Sequence, residues 1–476
     1  MKTFPYGTGY LTVSTVLDIA SGRVKGVIEA EAREKIKRSN KEVLAIASEE
    51  KVVYGITTGF GILANTRISE EDTRLLQYKI LQSHSVGVGD PIPEEIAKLM
   101  LITKVHALAQ GFSGVQLSTL ERICWHIEND VIPIVPEKGS VGASGDLAPL
   151  AHLFLPLVGL GECMYKGRRY SSAMLLREFD MEPVVLGPKE GLALINGTQF
   201  ILSYAIKTVQ MLHNCLEAAD IIGAMSLESL TGTKAPFDER LHELRPFRGN
   251  KLVAQRLRKL LADSQIMDSH IDCGRVQDPY SLRCMPQVHG ASRNTWLHLK
   301  ELVTIELNAV TDNPIIFSAD DTVSGGNFHG QPLALPLDYA CLASSEVGNI
   351  SDRRCYLLLE GKWGLPMLLM NNVGLNSGFM IPQYTTAALV TENKTLCFPA
   401  SADSIPTSLG QEDHVSMGSI SGRKAYKVLE NLQYILAIEL MSASQAIEFR
   451  RPLKSSAMLE FAHSYVRNFV GFAVED

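Results

Sequence analysis

A mainly α-helical fold with a long central helical bundle is what this sequence predicts, and three features predict it. Apolar residues recur at helical spacing over several long stretches, as at Ile206, Val209, Leu212 and Leu216. Charges are sparse on much of these stretches, so the helices must be buried against several neighbours. Strand-like segments are few and short, so regular β structure should be minor. The 476 residues are 46% hydrophobic and 20% charged, which supplies a large core, and length alone allows two or three domains. We divide the chain into an N-terminal domain, residues 1–195, and a long-helix bundle with a C-terminal segment, residues 196–476.

Taken in order, Leu11–Ala20 reads as a short helix and Ala30–Ser48 as a charged amphipathic one. Val52–Tyr54 is strand-like and runs into Gly55–Gly61, whose three glycines make it a loop. Glu70–Gln82, Pro93–Ala109 and Val115–Asn129 follow as helices. A Gly- and Pro-punctuated segment, Gly139–Leu150, leads into a helix over Leu147–Leu153. Long helices are expected at Gln199–Glu228, Thr295–Val310, Leu335–Glu360, Thr385–Leu396 and Ser419–Glu448. Between the helices lie polar loops, the usual seat of binding and catalytic residues: Ser83-His84, Ile195–Thr198, Val276–Arg283, Gly325–Gly330 and Gln411–Met417.

Composition excludes several classes. Net charge is −7 with both signs spread along the chain, so nucleic acid is not an expected partner. No apolar run is long enough to span a bilayer, and the first ten residues are polar and Gly-rich rather than a secretory leader. The eight cysteines are scattered with no Cys-x-x-Cys pair, which points away from zinc and disulfide frameworks and towards a reducing cytoplasm. There is no phosphate-binding GxxxxGK[ST] and no zinc-binding HExxH, and Gly87-Val88-Gly89 lacks the third glycine of a dinucleotide loop. No metal and no external cofactor is expected.

Ala143-Ser144-Gly145 carries chemistry of its own. Gly145 has an unhindered backbone nitrogen and wide conformational freedom, and Ala143 leaves its carbonyl carbon approachable. Attack of that nitrogen on that carbon closes a five-membered ring around Ser144. Loss of two waters then turns the Ser144 side chain into an exocyclic methylene, a strong electrophile. Alone, such a tripeptide is an ordinary turn, with Ser144 or Asp146 capping the next helix.

Its context is not ordinary. GSVGASGDLAPLAH at Gly139–His152, VYGITTGFG around Tyr54, LINGTQ around Asn196 and QDPYSLRC at Gln277–Cys284 together resemble the aromatic amino acid ammonia-lyases, from near the N-terminus to about Val466. The resemblance implies an almost wholly helical fold of the fumarase/aspartase type. It implies a methylidene-imidazolone (MIO) ring made autocatalytically from Ala143, Ser144 and Gly145, and a homotetramer whose active sites are shared between subunits. The expected reaction is non-oxidative removal of ammonia from an aromatic amino acid, with L-histidine giving urocanate as the leading case.

Residue roles follow from the same resemblance. Ser144 captures the substrate amine. Tyr54 is the expected base for the β-hydrogen, with Tyr280 a second tyrosine in the site, although a phenol titrates near 10 unless perturbed. Arg283 presents a planar fork to the substrate carboxylate, and Asn196 and Gln277 add hydrogen bonds. His84, Met380 and Glu412 set side-chain selectivity, and Phe328 lines the aromatic pocket. His84 within SHSVGVG and Glu412 within QEDHVSM are similar to the histidine-specific members. Phe398, Met285 and His289 depart from that pattern, which keeps tyrosine, phenylalanine or a histidine betaine open as substrates and a 2,3-aminomutase open as the reaction. A helical scaffold without catalysis and a Ser144 acyl-transfer enzyme are the remaining alternatives, the latter lacking a Gly-x-Ser-x-Gly elbow.

Overall fold

The computed structural model describes residues 2–48, 53, 56, 70–270 and 274–476; Tyr54 and most of its glycine-rich loop lie outside the described residues. About 59% of the chain is helical, and the strands described are two to four residues long. The expected helices are present as Val13–Ala20, Ala30–Ser48, Glu70–His84, Glu94–Leu108, Leu117–Glu128 and Leu147–Phe154. The long ones are Gln199–Ser229, Met285–Leu307, Gln331–Leu359, Met380–Leu396 and Gly418–Glu448.

Three of these begin earlier than periodicity indicates, for one physical reason. Met285–Leu307, Gln331–Leu359 and Met380–Leu396 each carry a proline in the first turn, at 286, 332 and 382. A proline there lacks only an N–H that has no intrahelical partner anyway, so it starts a helix rather than barring one. Pro336 lies further inside the 331–359 helix and removes one ladder bond. Arg248–Leu260 and Ala457–Arg467 are helices the sequence reading did not assign. No helix among the described residues is long and apolar enough to cross a membrane.

The contacts gather into two compact units that interleave along the sequence. The first comprises Met1–Lys207, Lys300–Leu337 and Pro399–Arg423; the second comprises Thr208–Leu299, Asp338–Phe398 and Lys424–Asp476.

In the first unit the Glu94–Leu108 helix is buried continuously from Leu99 to Leu108. Its short ladders include the parallel pair Lys2–Pro5 and Val24–Val27 and the antiparallel trio of Ile132–Pro133, Glu162–Tyr165 and Arg168–Ser171. Glu190 starts a short helix, Glu190–Ile195, and is wholly buried. Its carboxylate accepts hydrogen bonds from the Gln116 amide (2.8 Å), the Thr119 hydroxyl (2.8 Å) and the Gly187 amide (2.6 Å). Gln77 accepts from the next amide, Gly191 N, at 3.0 Å. The buried oxygens of Glu190 and Gln77 are answered by donors, and the helix end that delivers Asn196 is thereby fixed.

The second unit is built on a core that includes Leu227, Val253, Leu257, Leu282, Leu358 and Ile447. Gly249 packs so closely on Gly290 that a Cβ would stand 2.0 Å from the Gly290 carbonyl oxygen. Two buried charge clusters tie its helices. Arg354 pairs with Glu439 through two contacts, 2.5 and 2.9 Å, and Glu439 also accepts from the Ser226 and Ser351 hydroxyls. Asp220 takes Arg256, Arg293 and His289.

Removing one member of a buried pair leaves an uncompensated charge, a cost of about 3–5 kcal/mol. Glu439→Ala is therefore expected to destabilise the protein by that amount in thermal or denaturant unfolding. An unchanged unfolding midpoint would show that the Arg354–Glu439 pair does not carry that cost.

Candidate active site

The Gly139–Leu150 segment folds as a tight turn before the Leu147–Phe154 helix. Ser144 and Gly145 are both left-handed, with φ of +51° and +82°. Asp146 stands at the N-cap position, yet its side chain makes no cap bond to that helix. It reaches instead to the Ser140 hydroxyl (3.2 Å) and to the Ile201 amide (3.0 Å), capping the long 199–229 helix. The capping role expected of this residue is thus directed at a different helix.

Gly145 lies against Gly197. The two form a parallel bridge, and the Asp146 amide donates to the Gly197 carbonyl at 2.8 Å. A Cβ on Gly145 would meet that carbonyl oxygen at 2.1 Å, so no side chain fits. The approach carries the Ser144 carbonyl oxygen into two donors: Asn196 Nδ2 at 2.7 Å and the Gly197 amide at 3.4 Å. Asn196 Oδ1 is buried with no hydrogen-bond partner among the described residues.

The opposite end of Ser144 meets a carboxylate. The Ser144 hydroxyl donates to Glu412 Oε1 at 2.9 Å. Glu412 Oε2 accepts from the hydroxyls of Thr407 (3.0 Å) and Ser408 (2.8 Å). That turn is tight, with Ser408 and Leu409 both left-handed. A cavity of about 660 Å³ opens over the group and is lined by Ser144, Asn196, Phe328, His329, Glu412 and His414, among others.

Buried charges surround the turn. Burial pushes the Asp146 carboxyl up to about 7, against its hydrogen bonds from Ile201 and Ser140. Lys104 is wholly buried, and its ammonium is pushed down to about 7 by burial, opposed by Asp312 and Asp146 and aided by Lys189. His84, half-buried at the end of the 70–84 helix, is lowered by burial, against a hydrogen bond to the Ile80 carbonyl and the charge of Glu412. Its Nδ1 lies 2.9 Å from the Ser83 hydroxyl.

Among the residues singled out from sequence, Ala143, Ser144, Asn196, Phe328 and Glu412 line this cavity. Gly145, in the same turn, packs against Gly197, and His84 lies near enough to feel the Glu412 charge. Gln277, Tyr280, Arg283 and Met380 belong to the second compact unit. There Tyr280–Arg283 is a single helical turn after Pro279. The Arg283 guanidinium stands 4.6 Å from the Tyr280 ring centre, with its Nε buried and without a hydrogen-bond partner among the described residues. Met380 opens the 380–396 helix, and Gln277 is exposed. Met285 and His289 are buried in the second unit, where His289 Nδ1 meets Asp220 at 2.9 Å; a structural partner accounts for that histidine. Phe398 is 81% exposed.

Sequence reasoning marked the loops GGNFHG and QEDHVSM but assigned no role to His329 or His414. They stack at 5.5 Å between ring centres on the cavity wall. Lys104 was also missed, although a lone cation in the apolar run Leu99–Ala109 was the signal.

Comparison with known proteins agrees across the whole chain. A family model for aromatic amino acid lyases matches residues 11–468. Histidine ammonia-lyase of Sorangium cellulosum is 48% identical, over 98% of this chain and 93% of the relative. The crystal structure of histidine ammonia-lyase from Trypanosoma cruzi superposes with a TM-score of 0.92 at 41% identity, covering all of this chain and 90% of that one. Tyrosine aminomutase from Streptomyces globisporus superposes with a TM-score of 0.94 at 34% identity, covering 99% and 94%.

The electrostatics of the pocket are open to measurement. The His84 imidazole is expected to titrate below its ordinary 6.5. Because the Glu412 charge opposes that shift, Glu412→Gln should lower the midpoint further in a pH titration of isotope-labelled histidine. A midpoint that rises or stays fixed would show the two groups to be uncoupled.

Proposed function

As this chain belongs to the aromatic amino acid lyase family and is thereby a carbon–nitrogen lyase, we propose that it eliminates ammonia from L-histidine to give urocanate. The observation that carries this reading is the placement of Ser144, with its carbonyl between two donors and its hydroxyl on a carboxylate. The names of its close relatives support histidine, as do His84 and Glu412 beside an aromatic-lined cavity: a carboxylate can accept the N–H of a substrate imidazole, which a phenyl ring cannot offer.

We further propose that Ala143, Ser144 and Gly145 form the MIO ring. Ring closure from the Gly145 nitrogen onto the Ala143 carbonyl carbon needs a residue without a Cβ at 145 and a turned chain at 144. The left-handed Ser144–Gly145 turn and the absence of space for a Cβ fit both needs. The ring supplies an electrophilic carbon, derived from Ser144 Cβ, for the substrate amine. Asn196 Nδ2 and the Gly197 amide, both aimed at the Ser144 carbonyl oxygen, would stabilise negative charge on that oxygen.

The remaining roles belong to side chains of the chain itself. Glu412, 2.9 Å from the Ser144 hydroxyl, stands beside the place where the amine must arrive. It takes a proton from the substrate ammonium, exposing the nitrogen lone pair. Tyr54 is proposed as the base for the β-hydrogen. Arg283 holds the α-carboxylate in the assembled homotetramer, with Tyr280, Gln277 and Met380 completing the substrate contacts. Phe328 packs against the ring of the substrate. We place the enzyme in the cytoplasm.

The test is a substrate panel followed by ultraviolet absorbance, paired with intact mass. Histidine should yield the urocanate chromophore, and the chain should be lighter than its sequence by two waters. Ser144→Ala should abolish turnover. Asn196→Ala should lower kcat by roughly 10²–10³, as loss of one oxyanion donor does. Turnover of tyrosine or phenylalanine without histidine would refute the substrate, a β-amino acid product would mark an aminomutase, and an unmodified mass would refute the ring.

A further inference from the structure

We infer that Lys104 is a positioning residue for this reaction: it polarises the Asn196–Gly197 peptide, so that the Gly197 amide bonds more strongly to the Ser144 carbonyl. This rests on the reading above, in which that carbonyl collects charge.

Lys104 projects from the buried 94–108 helix and is 1% exposed. Its Nζ donates to the Asn196 carbonyl oxygen at 2.6 Å and more weakly to Gln199 Oε1 at 3.4 Å. Among the described residues no carboxylate lies within ion-pair distance of it. The neighbouring Lys189 takes Asp312 at 2.7 Å and the Ser113 carbonyl at 3.0 Å. Asp146 is engaged by Ser140 and Ile201. A buried ammonium without a direct carboxylate partner is costly, and buried charges of this kind concentrate at functional sites.

The contact falls on one end of a single amide group. The Asn196 carbonyl and the Gly197 N–H belong to the same peptide unit. A cation on the oxygen draws density through the C–N bond and leaves the N–H more positive, the same mutual polarisation that strengthens chains of hydrogen bonds. That N–H points at the Ser144 carbonyl oxygen, 3.4 Å away. Gly197 permits the arrangement: its φ is +136°, and a Cβ there would lie 2.5 Å from Gln199 Oε1 and 3.3 Å from Lys104 Nζ. Gln199 Nε2 donates to the Thr311 hydroxyl at 2.9 Å, which holds the amide oxygen towards Lys104.

A structural tie alone and an electrostatic role predict different things. Lys104→Met keeps the length and shape of the side chain and removes the donor; Lys104→Arg keeps the charge. Intact mass, thermal unfolding, the near-ultraviolet band of the conjugated carbonyl, kcat and KM are measured for the wild type and both variants. In Lys104→Met the band should move to shorter wavelength and kcat should fall roughly tenfold or more, with KM within about threefold. Lys104→Arg should recover part of both. A Lys104→Met protein that carries the dehydrated mass but has an unchanged band and kcat overturns the inference. So does a loss of kcat that merely follows a collapse of the unfolding temperature in both variants. A wild-type mass without the loss of two waters overturns the ring itself and this inference with it, and so is told apart from failure of Lys104 alone.

Discussion

The backbone approach of Gly145 to Gly197 is the constraint on which the rest of the site depends. Two segments more than fifty residues apart meet with no room for a side chain on either, and the Asp146 amide closes on the Gly197 carbonyl at 2.8 Å. Three further contacts accompany it. Asn196, one residue before Gly197, lands on the Ser144 carbonyl. Asp146, one residue after Gly145, reaches the start of the 199–229 helix and caps it. The Ser144 side chain is turned the other way, towards Glu412. A single interbackbone contact therefore sorts the carbonyl and the hydroxyl of one serine into two different chemical environments.

That contact has to be held, and polar groups hold it. Glu190 and Gln77 gather amides around the Glu190–Ile195 helix, which delivers Asn196. Buried ion pairs contribute little net stability, because desolvation offsets most of the attraction, but breaking one is expensive. They favour one arrangement over near alternatives more than they deepen it. In the second unit each buried guanidinium of Arg354 and Arg293 faces a carboxylate. Around the turn in the first unit the distribution is uneven: Lys189 has Asp312, while Lys104 faces a peptide carbonyl and a side-chain amide.

How much of this was legible in the sequence follows from the range of the interactions. Helices are local, so the long apolar stretches are readable, and the differences cluster at their starts, where Pro286, Pro332 and Pro382 sit in first turns that apolar periodicity does not reach and a proline there breaks nothing. The polar loops were readable from their glycines, and Ser144, Asn196 and Glu412 were identified by resemblance. What could not be read is which atom meets which. Nothing in LINGTQ says that the carboxamide of Asn196 turns to the carbonyl of Ser144, nor that Asp146 caps a helix beginning more than fifty residues later. Lys104 is the instructive miss. A charge within Leu99–Ala109 breaks the hydrophobic pattern of its helix, and local consistency fails where function imposes another demand. Likewise the stacking of His329 on His414 joins two loops that sequence order keeps apart.

The position of Glu412 bears on how selectivity and reactivity are related in such a site. Its Oε1 accepts from Ser144, its Oε2 is held by Thr407 and Ser408, and its charge reaches His84. One carboxylate thus touches the residue proposed to become the electrophile and biases the imidazole proposed to read the substrate. An amide in its place could still bond Thr407 and Ser408, since their hydroxyls both donate and accept. It could not take a proton, and it would remove a charge that opposes the lowering of the His84 pKa. On the proposed roles, exchanging Glu412 to alter substrate preference therefore alters the proton inventory at the amine in the same step. Phe328, on the same cavity wall and proposed to pack against the substrate ring, is free of this coupling, because its side chain offers shape and apolar surface alone. On the proposed roles, a change of substrate confined to ring size or polarity proceeds through Phe328, whereas one that changes the substrate's hydrogen-bonding groups passes through Glu412 and acts on the chemistry as well.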